Sequence, residues 1–245
     1  MLIQTKLNHL IGCSGFSNKD WKGFFYPDTL TAKDYLSYYA EHFNAVEINS
    51  TFYRKPTLKT LESWYAQTPD DFLFFIKIPQ TITHINQLKN SKLEIAEFCN
   101  HMKYGLKAKL AGFLFQFSPS FVYNKENIRR IEVGLDQRFV NVVEFRHKSW
   151  WDAEVYEALA DKNIIFSGVS IPKDISDEMI LNNPTHLYYR LHGKPVLFKS
   201  EYTEEELQTL SNCLLKSGRT AFIFFNNTWG TAAIKNALFM KGLMG

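Results

Sequence analysis

The stretch that decides the fold is Val142-Val143-Glu144-Phe145-Arg146-His147. Its hydrophobic start is typical of a strand buried on both faces, yet a carboxylate and a guanidinium follow two residues apart. Because side chains alternate along a strand, Glu144 and Arg146 should project to one face, whereas Val143 and Phe145 project to the other. A buried charge without a partner costs several kcal/mol, so this pair requires charged neighbours, a ligand or water at the strand end.

Seven further hydrophobic segments alternate with amphipathic ones along the chain. The eight predicted strands are residues 10–13, 45–51, 72–79, 111–117, 142–147, 163–169, 186–193 and 220–225. Helical spacing and capping signals predict helices at 31–43, 57–67, 91–109, 124–135, 203–216 and 231–241. A further helix is predicted to follow a capping box at 149–152 and to end at residue 162. The segment 170–183 is ambiguous.

This alternation indicates a parallel sheet covered on both sides, and eight such units match a (β/α)8 barrel. A doubly wound open sheet is the main alternative, but no G-x-G-x-x-G follows the first strand. No linker or change in composition marks a second domain. The sequence therefore predicts an α/β fold, a (β/α)8 TIM barrel that forms a single domain over residues 1–245.

The composition excludes several classes of protein. A chain of 245 residues that is 45% hydrophobic can bury a sizeable core, and a net charge of +3 without a charge run is not that of a typical nucleic-acid protein. Cys13, Cys99 and Cys213 are odd in number and form no C-x-x-C motif, so the sequence suggests neither a zinc module nor a disulfide framework. Residues 1–16 lack the apolar core of a signal peptide, and no segment is long enough to span a membrane. We therefore expect a cytoplasmic protein without a membrane partner, and the oligomeric state is not predicted.

Polar residues recur where the predicted strands end. They are Glu47, Asn49, Lys77, Gln116, Glu144, Arg146, Arg190, His192 and Asn226. In a TIM barrel the carboxyl ends of the strands form the active face, and alternation can point each of these side chains inward. One such residue is ordinary, but a ring of them predicts a site.

The charges of this ring suggest how such a site would work. Three cations against two carboxylates leave a positive balance, which suits a small phosphate or carboxylate, including one attached to a sugar. We predict Glu47, Lys77 and Glu144 as catalytic residues, with a lowered pKa for Lys77 and a raised one for a glutamate. The predicted substrate-binding residues are Asn49, Tyr53, Arg54, His84, Gln116, Arg146, Trp150, Arg190, His192 and Asn226. The structural alternative is a lattice of salt bridges that plugs the barrel.

Two further functions stay open. Glu47, Glu144 and His192 could hold a divalent metal, but the nearby Lys77 and Arg190 would oppose a cation, so we predict neither a metal nor a cofactor. Aromatic and basic residues in the loops keep a nucleic-acid-binding protein or a metal-dependent phosphodiesterase as the less favoured alternative. A barrel with purely structural charges, acting as a binding or scaffold module, is the third hypothesis. Whether the protein is an enzyme is therefore open.

Several stretches together resemble one known family. They are Gly12-Cys13-Ser14-Gly15-Phe16, Trp21-Lys22-Gly23-Phe24-Phe25-Tyr26-Pro27, Val46-Glu47-Ile48-Asn49-Ser50-Thr51-Phe52-Tyr53-Arg54, Lys77-Ile78-Pro79 with Thr83-His84, Glu144-Phe145-Arg146-His147 with Ser149-Trp150, Arg190-Leu191-His192-Gly193 and Asn226-Asn227-Thr228. The chain resembles the YecE-like family, domain of unknown function 72. The resemblance implies a TIM barrel and brings no established activity, substrate or cofactor. Position 13 is usually Thr in that family, which weakens a mechanism with Cys13 as nucleophile.

Overall fold

The computed structural model describes residues 9–244, and within them nine strands and seven α-helices follow one another. The strands are Leu10–Cys13 (β1), Ala45–Ile48 (β2), Leu73–Lys77 (β3), Leu110–Gln116 (β4), Asn141–Glu144 (β5), Ile164–Phe166 (β6), Gly168–Ser170 (β7), His186–Leu191 (β8) and Thr220–Phe225 (β9). The helices are Tyr35–His42 (α1), Leu58–Ala66 (α2), Lys92–Leu106 (α3), Lys125–Gly134 (α4), Ala153–Asp161 (α5), Glu204–Lys216 (α6) and Ala232–Met244 (α7). Each of the eight predicted strand segments contains strand. The predicted domain and the predicted absence of a signal peptide also concern residues 1–8, which lie outside the described part.

The strands form two parallel sheets within a single-domain α/β fold. One sheet has the order β2-β3-β4-β5-β6 and the other the order β1-β9-β8-β7. The predicted strand 163–169 is therefore wrong as a single element, because it is divided at Ser167 between the two sheets. Gly168 passes so close to Tyr189 that an added Cβ would lie 2.5 Å from the ring, and the backbone N–H of Ser167 still donates to Val143 O at 2.8 Å.

The strands do not form the predicted closed barrel by continuous backbone pairing, because β1 and β2 lie at the ends of different sheets. A tyrosine side chain joins these two strands instead. The hydroxyl of Tyr39 accepts from Cys13 N at 2.7 Å and donates to Ala45 O at 3.2 Å. A Cβ at Gly12 would lie 2.1 Å from Ala45 O, so only glycine allows this approach.

The two sheets share one interior. Side chains from strands of both sheets pack into a single buried cluster: Leu10, Ala45, Phe75, Leu114, Val142, Ile165, Tyr188, Phe222 and Phe224. A larger cluster lies between the outer faces of the strands and the helices and includes Val143 and Phe145. The alternation predicted for the opening stretch is thus confirmed, although β5 ends at Glu144, before Phe145 and Arg146.

Local signals fixed several helix ends. Thr203 and Glu206 form the predicted capping box of α6, and Asn124 caps α4 by accepting from Asn127 N at 2.8 Å. The capping box at 149–152 is wrong, because Asp152 alone caps α5 and the hydroxyl of Ser149 accepts from Tyr123 N at 2.8 Å.

The connection between β7 and β8 is irregular: no α-helix occurs there in the described chain. None of the helices within residues 9–244 has the length and apolar character that crossing a membrane requires.

Candidate active site

Parallel register brings the polar strand ends together. Gln116 at the end of β4 is the direct partner of Glu144 at the end of β5, and Lys77 ends the adjacent β3. In the other sheet, Arg190 near the end of β8 is paired with Phe224 of β9. Because all strands run the same way, their charged ends meet at one edge of the fold.

The deepest layer is an ion network of Glu47, Glu144, Arg146 and Arg190, called the inner network below. Arg190 bridges both carboxylates: one terminal nitrogen donates to Glu47 at 2.6 Å and the other to Glu144 at 2.6 Å. Both carboxylates and Arg190 are fully buried. Two charges of each sign therefore balance inside a water-excluded space.

Hydroxyl groups complete the surroundings of Glu47. Ser14 Oγ donates to Glu47 Oε1 at 2.5 Å, and the Tyr188 hydroxyl donates to Oε2 at 2.7 Å. Sequence reasoning missed both donors. Tyr188 lies two residues before Arg190 on the same strand face, so the alternation that identified Arg190 also carried the signal for Tyr188.

The pKa of Glu144 contradicts the expectation of a raised glutamate. Burial alone would raise it, but the guanidinium groups of Arg146 and Arg190 outweigh burial and hold the pKa well below its usual range. Both terminal nitrogens of Arg190 already donate to Glu144 and Glu47, so the guanidinium group cannot bind an anion through this pair of donors. The prediction that Arg190 binds the substrate directly therefore does not fit its position, and the same burial withholds Glu47 and Glu144 from a ligand.

Arg146 is the member of the inner network that keeps an exposed fraction, and His192 lies against it. Arg146 forms an ion pair with Glu144 and contacts His192 Nε2 at 3.1 Å, while 9% of its side chain remains exposed. Burial, followed by the charge of Arg146, lowers the pKa of His192 to about 3, so this imidazole is neutral at physiological pH. Its Nδ1 contacts the Asn226 amide at 2.9 Å, and Asn49 donates to Asn226 Oδ1 at 3.4 Å.

A second, more open layer surrounds Lys77. Its Nζ donates to Gln116 Oε1 at 2.9 Å and lies 4.1 Å from the centroid of the Phe52 ring. Burial and then the charge of Arg190 lower the pKa of Lys77 to about 7, as the sequence predicted in direction. Phe52 was not among the predicted site residues, because no pattern in the sequence distinguishes it from the other loop aromatics.

His84 enters the Lys77 layer from a five-residue π-helix, Thr81–Ile85. Its Nε2 lies 3.4 Å from the Gln116 amide nitrogen, and its ring meets Phe52 edge-on at 4.9 Å. Burial and then the charge of Lys77 lower the pKa of His84 to about 4. The residue is therefore a neutral hydrogen-bonding group beside the amine.

Three predicted site residues lie apart from this cluster. Trp150 is fully buried in the outer core, where it stacks on Phe145 at 3.9 Å and donates to Phe121 O at 2.6 Å, so it cannot contact a ligand at the strand ends. Tyr53 and Arg54 are exposed and line a separate cavity of about 290 Å³ beside α3. Neither the burial of Trp150 nor the exposure of Tyr53 and Arg54 was visible in the sequence.

Comparison with known proteins identifies the family. The family described as "Protein of unknown function DUF72" matches residues 10–245. The chain belongs to the DUF72 family. This confirms the resemblance deduced from the sequence stretches.

Individual relatives agree with this DUF72 assignment. The UPF0759 protein YunF of Bacillus subtilis (strain 168) is 26% identical over 96% of this chain and 94% of its own length. The UPF0759 protein YecE of Escherichia coli (strain K12) is 36% identical over 35% of this chain and 31% of its own length. The crystal structure of a DUF72 family protein from Thermotoga maritima MSB8 is similar with a TM-score of 0.86, at 29% identity, covering 96% of this chain and 99% of that one.

The donor set of this DUF72 protein is one of cations and amides around two neutralised carboxylates. Within residues 9–244, no group of three or more His, Cys, Asp and Glu side chains is placed to hold a metal ion. The salt bridges formed among the same residues do not include Lys77, whereas Arg146 and Arg190 are both paired with carboxylates. Lys77 is thus the cation of the cluster whose charge is not matched by a neighbouring acid.

Proposed function

We propose that this protein binds a small anionic metabolite at the carboxyl ends of its strands and acts on it by acid–base chemistry through Lys77. The anion is a phosphate or a carboxylate, including one carried by a sugar. The observation that carries the proposal is the unmatched charge of Lys77 beside a balanced inner network. An anion placed against the protonated amine would supply the counterion that the protein's own acids do not.

Donors beside Lys77 suit the remaining oxygens of such an anion. Arg146 keeps a small exposed fraction, and its Nε makes no hydrogen bond to any residue of the described chain. Asn49, Gln116 and Asn226 add amide groups at the same strand ends. In this arrangement Glu47 and Glu144 act as positioning residues, because they hold the two guanidinium groups in place.

The amine itself is suited to proton transfer near neutral pH. With a pKa of about 7, Lys77 exists as comparable amounts of amine and ammonium, so it can accept and return a proton. The neutral His84 and Gln116 orient the group without fixing its charge.

We also infer that the two sheets act as one barrel, a TIM-barrel domain over residues 1–245. Three features support this inference: the interior cluster shared by both sheets, the single residue between β6 and β7, and the Tyr39 bridge between β1 and β2. If β6 and β7 count as one strand, the order corresponds to eight strands with their carboxyl ends on one face.

Isothermal titration with inorganic phosphate and with succinate tests the proposal, one pH unit below the Lys77 pKa of about 7. Lys77→Met should weaken binding by about tenfold or more, which corresponds to ~1.4 kcal/mol. The matched control is Lys59→Met, which removes an exposed lysine of α2 and should leave binding unchanged. Equal binding by the wild type and Lys77→Met, or no binding of either anion, would remove the assignment.

A single-stranded oligonucleotide serves as the competing ligand in the same titration. Binding to a phosphate backbone weakens steeply as salt rises. Strong, salt-sensitive binding of the oligonucleotide, without binding of the small anions, would favour the nucleic-acid alternative over the metabolite proposal.

A further inference from the structure

We propose that Lys77 is a nucleophilic amine that forms a Schiff base with the carbonyl group of a small anionic oxo compound. The substrate class is then a 2-oxo acid or a keto or aldehyde phosphate. This inference rests on the proposed function, since the anionic group of the same molecule would occupy the Arg146 and amide donors. It assigns Lys77 a covalent role that acid–base chemistry alone does not require.

The contacts of Lys77 leave its nitrogen available for bond formation. A lysine held by a carboxylate is kept protonated, but the Nζ of Lys77 donates to the neutral oxygen of Gln116. Its other close neighbour is the face of the Phe52 ring, 4.1 Å from Nζ to the centroid. Neither contact occupies the nitrogen lone pair. The side chain is half-buried, so part of its surface meets solvent, and in this proposal the exposed side is the path of the substrate.

Burial and the charge of Arg190 favour the neutral amine, which is the nucleophilic form, and they outweigh the opposite effect of Glu144 and Glu47. Two conditions that activate lysines for Schiff-base chemistry are an apolar environment and a neighbouring cation. Both conditions occur here. Burial is the largest cause of the lowered Lys77 pKa of about 7, and the charge of Arg190 is the second largest. A substantial fraction of the amine is therefore neutral at physiological pH, which is not true of an exposed lysine.

The inner network explains why these cations stay in place. Arg190 is locked between two buried carboxylates, so it cannot turn toward Lys77 or leave the site. Arg146 is held by Glu144 in the same way. The positive charges that disfavour a protonated Lys77 are consequently fixed parts of the fold.

The proposed step balances without an oxidant or a reductant. The lone pair of Nζ attacks the carbonyl carbon, a C–N bond forms, and the carbonyl oxygen takes a proton to give a carbinolamine. The oxygen then leaves as water with the two protons of the neutral amine, while the C–N bond becomes a double bond. One amine and one carbonyl compound thus give one imine and one water.

Reductive trapping tests the inference on the full chain. The protein is incubated with pyruvate or dihydroxyacetone phosphate, treated with sodium borohydride, and analysed by intact mass and peptide mapping. The expected result is one adduct on Lys77, in at least about tenfold excess over any other lysine, and increasing as pH rises through the Lys77 pKa of about 7. Lys77→Arg, which keeps the charge, should lose the adduct, whereas the control Lys59→Arg should keep it. Circular dichroism and a thermal melt verify that Lys77→Arg is folded.

The outcomes separate this inference from the proposed function. Adducts spread evenly over surface lysines, or an adduct that persists in folded Lys77→Arg, would overturn the Schiff-base role. A third outcome is that phosphate and succinate binding depends on Lys77 but neither oxo compound is trapped. This would overturn the Schiff base and leave the proposed function intact. Acetone trapped on Lys77 as efficiently as pyruvate would retain the reactive amine but overturn the anionic substrate class and the proposed function with it.

Discussion

Two lysines at opposite ends of neighbouring strands show how differently this fold treats the same side chain. Lys109 immediately precedes β4, whereas Lys77 ends β3, and these strands are parallel partners. Both amines lie over an aromatic ring, Lys109 at 4.2 Å from the Tyr65 centroid and Lys77 at 4.1 Å from that of Phe52. Their hydrogen bonds differ. Lys109 donates to Tyr65 O at 2.7 Å, Thr68 O at 2.6 Å and Thr68 Oγ1 at 3.2 Å. Among the described residues, Lys77 donates to Gln116 alone.

The different hydrogen bonds of the two lysines indicate a structural role for Lys109 and fit the chemical role proposed for Lys77. At the amino ends of the strands, all three donors of Lys109 are used to fasten the end of α2 and the turn that follows it. At the carboxyl ends, two arginines pair with the buried carboxylates, and no acid of residues 9–244 forms a salt bridge with Lys77. If the two sheets act as one barrel, as proposed above, this contrast would match the general division of barrel folds into a stabilising and a functional face.

The largest expected effect tests whether the inner network fixes the functional face. Arg190→Met should leave two fully buried carboxylates without their shared partner and lower the free energy of unfolding by about 3–5 kcal/mol. Urea denaturation measures the loss. The control Arg129→Met, at an exposed position of α4, should change it by no more than about 0.5 kcal/mol. A small loss in Arg190→Met would mean that the network does not hold the strand ends together.

The next prediction compares the two lysines directly. Lys109→Met leaves the buried carbonyl of Thr68 and the half-buried carbonyl of Tyr65 without the ammonium donor and should cost about 2–3 kcal/mol in unfolding free energy. Lys77→Met removes a charge that burial disfavours and should be neutral or stabilising near neutral pH. Parallel urea titrations measure both variants. Equal losses of unfolding free energy in the two variants would contradict the distinction between a structural Lys109 and a Lys77 that stability does not require.

The sequence predicted much of this comparison but not all of it. Hydrophobic strands at a regular spacing predicted the parallel α/β fold, and alternation placed Glu47, Lys77, Glu144 and Arg190 at one end. The division of 163–169 between two sheets was not predictable, because it depends on long-range pairing, of β6 with β5 and of β7 with β8. The pairing of charges also depends on three-dimensional distances, so charge counting predicted the positive balance but not that Lys77 would carry it.

A pH series gives a smaller effect with a defined sign. The folded pKa of Lys77, about 7, lies below its ordinary value of 10.5, so the unfolded chain binds more protons between these values. Lys77 should therefore make the unfolding free energy rise as pH increases from about 7 to about 10.5. Partial exposure reduces the size of this rise. The difference between wild type and Lys77→Met, followed by urea denaturation, isolates it; a difference that is flat or falls across this window would contradict the lowered pKa.

The smallest expected effect concerns the ring beneath Lys77. Phe52→Leu keeps the apolar surface but removes the attraction between the ring face and the ammonium, which is worth ~0.5–2 kcal/mol. Because one pKa unit corresponds to ~1.4 kcal/mol, the pKa of Lys77 should fall by about 0.4–1.4 units. The pH midpoint of reductive trapping measures this change, with Phe24→Leu, an exposed aromatic position, as the control. A midpoint that rises would show that the ring acts mainly by excluding water, and the shared aromatic contact of Lys77 and Lys109 would then be a matter of packing alone.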